Sequence, residues 1–268
     1  VTGSTDGIGL ETAQQVAARG VRVVVHGRSP ERVARALATL SPARERPHAG
    51  VVADLSSLAA VREMARELRE RDELPDVLVN NAGIYAKEFR LSPDGIELTM
   101  AVNHFAPWLL TRELLSFSES TVSRIVNVSS IAHSRGTLSL DDIACTRRPF
   151  DAYAMYAASK LANVHFTREL AERLGTRAAV NALHPGVVST KLLKEGFGMQ
   201  GSDSLADGAK TSVMLALDDA YAEITGGYYA AGKPARLSSA AQNGAFAQAF
   251  YEATEKLVDA ALEASTAR

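Results

Sequence analysis

The chain has 268 residues, 46% of them hydrophobic and 22% charged, with a formal net charge of -2. Those values suit a globular chain and leave no basic footprint for nucleic acid; the short basic run PARERPHAG (42–50) reads as a solvated loop. The lone Cys145 excludes an intrachain disulfide framework and fits a reducing compartment, so a cytoplasmic location is expected. No apolar run approaches the roughly 20 residues of a membrane span. The histidines and the single cysteine show no metal-ligand spacing, so no metal is expected.

The chain opens VTGSTDGIG. Gly3, Gly7 and Gly9 have the logic of a strand-to-helix turn: a tight bend at Gly3, close backbone approach to a diphosphate at Gly7, and helix–strand packing at Gly9. The first helix would then present its N-terminal amides and positive dipole end to the phosphates. Only Val1 and Thr2 precede the turn, although such a turn normally follows a whole strand, so further apolar residues are expected upstream.

VRVVV (21–25) is a β-branched run followed by the helical ERVARALATL. GVVAD (50–54) leads to the helical LAAVREMARELRE, and DVLVN (76–80) leads through NAG to a loop. GIELTMAVNHFAPWLLTRELL (95–115) has helical spacing, and RIVNVSS (124–130) is a strand ending in hydroxyls. DAYAMYAASKLANVHFTRELAERL (151–174) is a long helix, and RAAVNALHPG (177–186) is a strand ending in a breaker. Strands alternating with helices predict a single domain over 1–268, built on a parallel sheet covered on both faces. Residues 131–150 and 187–208 interrupt the alternation. Both read as loops beside the carboxyl ends of strands, where open α/β sheets bind ligands.

In DAYAMYAASK, Tyr153 lies seven residues before Lys160 and Tyr156 lies four before it, so both share its helix face. A phenol of pKa about 10 is a sluggish proton carrier near neutrality. An ammonium ~4 Å away in an effective dielectric of ~20 favours phenolate by about 4 kcal/mol, which predicts a tyrosine titrating near 7. Along the helix axis Tyr153 is ~10.5 Å from Lys160 and Tyr156 only ~6 Å. Tyr156 is therefore the predicted proton carrier, with Tyr153 in the pocket wall.

TGSTDGIG, NNAG (80–83), a serine followed by Y-x-x-x-K, and P-G-x-V-x-T (185–190) occur in this order. Together they resemble the short-chain dehydrogenase/reductase family over essentially the whole chain. IVNVSSIAH, the extra segment before the tyrosines and YAASKLANVHFTREL are most similar to its retinol-dehydrogenase-like members. The resemblance implies an α/β fold, a doubly wound Rossmann type with a parallel seven-stranded sheet in the order 3-2-1-4-5-6-7, and a nicotinamide cofactor. It implies cofactor contacts at Gly3, Thr5, Asp6, Gly7 and Ile8, then at Asp54 and Leu55 near the adenine. Asn81, Ala82 and Gly83 would follow the ribose, while Pro185, Gly186, Val188 and Thr190 would hold the carboxamide. Asp54 also reads, from the residues alone, as a helix N-cap or turn residue.

The second strand ends in HGRSP. Many NAD-dependent members carry an acid where Gly27 stands. Here Arg28 follows, and a guanidinium can grip a 2′-phosphate with no carboxylate nearby to repel it. NADP(H) is the expected cofactor, with NAD(H) still compatible.

The implied catalytic set is Asn103, Ser130, Tyr156 and Lys160, the last two also touching the cofactor. Ser129 should point to the other side of its strand from Ser130. The expected reaction is hydride transfer between NADP(H) and a lipophilic aldehyde, ketone or alcohol, a small molecule being the only partner indicated. Two alternatives stand beside it. Tyr153 and Lys160 have the Y-x-x-x-x-x-x-K spacing of the related enoyl reductases, and a non-enzymatic dinucleotide-binding redox sensor would keep the same fold. His104, His133 and His184 lack partners at triad spacing and read as structural. Phe105 and Trp108 read as core or subunit contact, which is compatible with a homo-oligomer. Cys145 reads as an inert thiol in the extra segment.

Overall fold

A computed structural model describes residues 1–266. Side-chain caps set several of its helices. Asp6 caps α1 (Gly7–Ala18), and Ser29 caps α2 (Pro30–Leu37), where Pro30 pre-sets the first turn. Ser57 caps α3 (Leu58–Glu70), and Asp151 caps α6 (Ala152–Leu174), accepting a hydrogen bond from the Ala154 amide at 2.7 Å. Between α3 and α6 lie the short α4 (Leu98–Met100) and α5 (Ala106–Ser116), joined by a π-helical turn, Ala101–Phe105. The uniform helix predicted over 95–115 thus carries a bulge, a feature concentrated at functional sites. Residues 131–150, read as loop, contain two 3₁₀ turns, Ile131–Arg135 and Leu140–Asp142.

Apolar β-branched runs form the strands β1 (Val24–Gly27), β2 (Ala49–Val52), β3 (Val77–Asn80), β4 (Arg124–Val128) and β5 (Ala179–His184). Beyond the elements read from sequence come α7 (Leu205–Leu217), the short hairpin β6 (Tyr228–Ala230) and β7 (Lys233–Pro234), and α8 (Gly244–Thr266).

The α/β class holds, and the strands follow the expected order on either side of Val1–Ser4, with the hydrogen-bonded strands divided between two sheets. β1 and β2 form a parallel pair with Val24 opposite Ala49, while β3-β4-β5-β6-β7 form a second sheet, parallel except for the β6–β7 hairpin. The position expected for the central strand is held by Val1–Ser4. The Val1 amine donates to the Val24 carbonyl on one side, and the Thr2 amide donates to Val79 on the other at 2.9 Å. The Ser4 amide reaches back to His26 at 3.0 Å. These residues give isolated hydrogen bonds to each side rather than a ladder, so the two sheets are joined without being one.

One face carries α1, α2 and α7, sharing apolar clusters with β1 and β3 to β5. The other carries α3, α5 and α6, with α8 packed outside α3 and α6. Phe105 and Trp108 are fully buried in that second layer, with Phe250 and Tyr251 of α8 against them, so they are core within the chain itself. Among the described residues no helix is long and apolar enough to cross a membrane.

Candidate active site

A cavity of about 1070 Å³ runs along the carboxyl ends of β1 to β5. Gly27, Asp54, Asn81, Ser129 and Pro185 line it, each just beyond or at the end of a different strand, the position where open α/β sheets hold ligands. Every cofactor residue expected from sequence lines this cavity: Gly3, Thr5, Asp6, Gly7, Ile8, Arg28, Asp54, Leu55, Asn81, Ala82, Gly83, Tyr156, Lys160, Pro185, Gly186, Val188 and Thr190.

The glycine turn has the packing that a diphosphate cradle requires. Gly3 has φ +62 and faces Ala82, whose Cα would lie 2.9 Å from any Cβ. A Cβ on Gly9 would collide with the Gly3 carbonyl and the Asn81 amide, so helix and turn touch directly. Gly7 is open by contrast, with only a Thr190 methyl 3.7 Å from a notional Cβ, leaving its backbone approachable at the helix N-terminus. Asn81 fastens the turn, its Nδ2 donating to the Thr2 carbonyl at 2.9 Å. Across the cavity mouth Lys191 pairs with Asp6 at 2.6 Å and holds its carboxyl below the usual range.

At the far end of the cradle, a Cβ at Gly27 would lie 2.5 Å from a Thr5 methyl, so no acidic side chain fits there without displacing Thr5. Arg28, Ser29 and Arg32 line this end instead. Arg32 was missed in sequence, although S-P-E-R marks the start of α2 and puts it one turn beyond Arg28. His26 was also missed. It is 4% exposed; its Nδ1 accepts from the Gly3 amide at 3.0 Å and its Nε2–H donates to Ala53 at 3.2 Å. Burial lowers its pKa to about 4, so it stays neutral and keeps that acceptor. Asp54 is exposed and its Oδ1 accepts from the Ser56 amide at 3.0 Å, so its turn role is realised at the cavity wall.

The reaction end gathers three side chains from two elements. Ser130 follows β4, and Tyr156 and Lys160 project from α6. The Ser130 Oγ accepts from the Ala132 amide at 3.2 Å, which leaves its proton to donate elsewhere. Ser129 points away as expected, its Oγ donating to the Lys160 carbonyl at 2.8 Å. Asn103 does not line the cavity. It is fully buried behind Gly83, with its Oδ1 accepting from the Ile84 amide at 2.8 Å and its Nδ2 donating to Ile84 O and Ser159 Oγ, each at 3.0 Å. A Cβ on Gly83 would stand 3.4 Å from both the Asn103 Oδ1 and the Lys160 Nζ, so the loop is pinned beside the lysine.

Electrostatics depart from the sequence expectation. The Lys160 Nζ lies 5.5 Å from the Tyr156 ring centroid and donates to the Val128 carbonyl at 2.9 Å. Burial pushes the Tyr156 phenol up to about 12, with the Ser130 side chain pulling the other way, and lowers Lys160 to about 8. Desolvation thus opposes the ionisation expected of Tyr156, and the Lys160 ammonium is hydrogen-bonded to a carbonyl rather than to the phenol.

Around Tyr156 stand Tyr85, Tyr153, Leu192 and Phe197. Phe197 meets the Tyr85 ring at 4.4 Å, Tyr156 at 5.2 Å and Tyr153 at 6.1 Å. The segment between β5 and α7, read from sequence as a loop over 187–208, carries Phe197 just after a π-helical turn, Leu192–Gly196, and is closed at its neck by a bridge between Val188 and Asp203. Cys145 is buried with its thiol pushed up to about 12, an inert group away from the cavity lining.

The model of the short chain dehydrogenase family matches residues 1–200. Human retinol dehydrogenase 13 is 34% identical across 100% of this chain and 86% of its own length. Retinol dehydrogenase 12 of Mus musculus is 36% identical over 91% of this chain and 80% of its own. Among solved structures, an uncharacterised protein from Mycobacterium paratuberculosis superposes with a TM-score of 0.81 at 30% identity, covering 96% of this chain and 91% of that one. A short chain dehydrogenase from Burkholderia cenocepacia in complex with NADP gives a TM-score of 0.65 at 27% identity, covering 86% and 94%. With the glycine cradle, the paired tyrosine and lysine, and these relatives in agreement, the chain belongs to the short-chain dehydrogenase/reductase family, in its retinol-dehydrogenase-like subgroup, and is an NAD(P)-dependent oxidoreductase.

Proposed function

We propose that this chain interconverts a lipophilic aldehyde or ketone and its alcohol, using NADP(H). The observation that carries the reading is the convergence of the Ser130 hydroxyl, the Tyr156 phenol and the Lys160 ammonium on one cavity whose wall is aromatic. The bound dinucleotide would supply or accept the hydride. The protein's residues do the rest. Ser130, its lone pair engaged by Ala132, donates to the carbonyl oxygen and orients it. Tyr156 is protonated at neutral pH, the form that can deliver a proton to the developing alkoxide. In the alcohol-oxidising direction the phenol must lose that proton, and the Lys160 charge favours the loss.

Arg28 and Arg32, with no acid beside them at Gly27, support a 2′-phosphate and hence NADP(H). Tyr153 and Phe197, which line the cavity with Tyr85 packed behind Phe197, offer flat apolar surface to a conjugated or polycyclic substrate. The retinol dehydrogenase names of the relatives favour a retinoid-like aldehyde or alcohol within that class. Asn103 acts by pinning the Gly83–Ile84 backbone beside Lys160. The test is NADPH-linked turnover on aldehydes and ketones graded in size. Turnover should rise with apolar bulk; cofactor binding with no turnover on any member of the panel would overturn the reading.

A further inference from the structure

His133 lies three residues beyond Ser130, inside the 3₁₀ turn that follows β4, and only 2% of its surface is exposed. Its Nδ1 is 2.8 Å from the Ser130 carbonyl oxygen, an acceptor, so that nitrogen carries the proton. Its Nε2 receives the Ser238 amide at 3.4 Å, so that nitrogen carries the lone pair. The two contacts demand one neutral tautomer. The His133 backbone amide donates to the same Ser130 oxygen at 3.1 Å, so two donors from one residue clamp a single carbonyl. The ring is further set by an edge contact with Tyr228, centroids 4.8 Å apart. The turn cannot retreat, because Gly136 sits so close to the Ala157 carbonyl of α6 that a Cβ would overlap it.

The Ser130 backbone is extended, φ -158 and ψ 158, and its Oγ is already tethered to Ala132. With the carbonyl clamped and Oγ accepting from Ala132, the hydroxyl proton is left for the Tyr156 phenol or a ligand in the cavity that both line. We propose that His133 is a positioning residue: its Nδ1–H holds the Ser130 peptide so that the serine hydroxyl stays aimed at the substrate oxygen. Through Ser238 it also ties that geometry to the segment after β7. The inference rests on the carbonyl-reduction reading for its catalytic consequence, but not for its structural part.

The two substitutions His133→Asn and His133→Gln separate the roles. An asparagine Nδ2 stands where the imidazole Nδ1 stood and can still donate to Ser130, while losing Ser238. A glutamine reaches the Nε2 position and can keep Ser238, while losing Ser130. His133→Gln should lower kcat by roughly 10- to 100-fold with the KM for NADPH unchanged, the size expected when a reacting group is displaced by about 1 Å. His133→Asn should restore most of the lost kcat. Equal losses in the two variants, or no loss in either, would overturn the proposal. Imidazole ¹⁵N NMR of the wild-type protein, with His133 assigned by its disappearance in His133→Asn, gives a readout independent of turnover. It should show protonated Nδ1 and unprotonated Nε2 at pH 7; the opposite tautomer or an imidazolium would refute the clamp even if a variant failed to fold. Should wild-type protein turn over no carbonyl or alcohol, the functional reading falls, and the NMR result alone decides the clamp.

Discussion

The Lys160 ammonium stands 5.5 Å from the centre of the Tyr156 ring and gives its hydrogen bond to the Val128 carbonyl. Both side chains are buried, at 8% and 3% exposure for Tyr156 and Lys160, and burial favours the uncharged form of each. The pair is thus set for proton donation, with the phenol protonated at neutral pH and the lysine charge the more readily lost.

That order of titration sets the pH dependence of reduction. Lys160, lowered to about 8, loses its charge as pH rises through that value, while Tyr156, raised to about 12, keeps its proton. kcat/KM reports groups of the free enzyme. It should be level between pH 6 and 7.5 and fall by about tenfold per unit above 8. A profile level to pH 10 would show that the lysine charge is not required.

The two tyrosines can be separated by paired substitutions. Tyr156→Phe should cut carbonyl turnover by roughly 10²- to 10⁴-fold with NADPH binding retained, the range lost with a general acid. Tyr153, whose ring meets Phe197 rather than the lysine, should alter substrate KM at most when changed to Phe. Both variants should be assayed with a ketone and with an α,β-unsaturated thioester. If Tyr153→Phe is the inactive one and the C=C bond is reduced, the assignment is reversed.

Arg28→Ala should weaken NADPH by about 100-fold, ~2.7 kcal/mol, and leave NADH nearly unchanged. Arg32→Ala should act in the same direction, because both guanidinium-bearing residues line the same end of the cavity. Isothermal titration with each cofactor decides it. An equal loss for NADH and NADPH would make Arg28 a support of the fold.

Acid should destabilise the protein well above the carboxylate range. His26, His104 and His165 are buried, and burial lowers them to about 4, 3 and 4 respectively. The unfolded chain takes up these protons first, near pH 6.5. Stability is therefore full above that pH and falls as pH drops from about 6.5 toward 4, each histidine contributing on the order of 1 kcal/mol per unit at most. Urea midpoints at pH 7.5 and 5 should differ accordingly, and His104→Gln should flatten the difference. Equal midpoints would mean that these side chains are solvated in the native state.

Much of this molecule was legible in residue order. Glycine spacing at 3, 7 and 9, hydroxyls ending β4, and the rise per residue of α6 are local properties, governed by backbone dihedrals and helix geometry. They indicated the α/β class and the extent of α3 and α6, and the cofactor residues that the family resemblance implied all line the cavity, although His26 and Arg32 there went unread. They also separated Tyr156 from Tyr153 by distance along one helix. The tertiary structure decided what local rules cannot reach. Where the Lys160 hydrogen bond goes depends on a carbonyl 32 residues away in sequence, and Phe197 meets Tyr85 in a segment after β5 that is bridged at its neck. The hydrogen-bonded strands fall into two sheets with Val1–Ser4 between them. Burial, which no periodicity measures, pushes the Tyr156 phenol upward, against the shift the helix spacing predicts. It also turned His26 and His133, which look like ordinary histidines in the sequence, into fixed tautomers that brace the glycine turn and the serine. Local sequence specifies which groups are available; the packing of distant segments sets their solvation and their partners, and with them their chemistry.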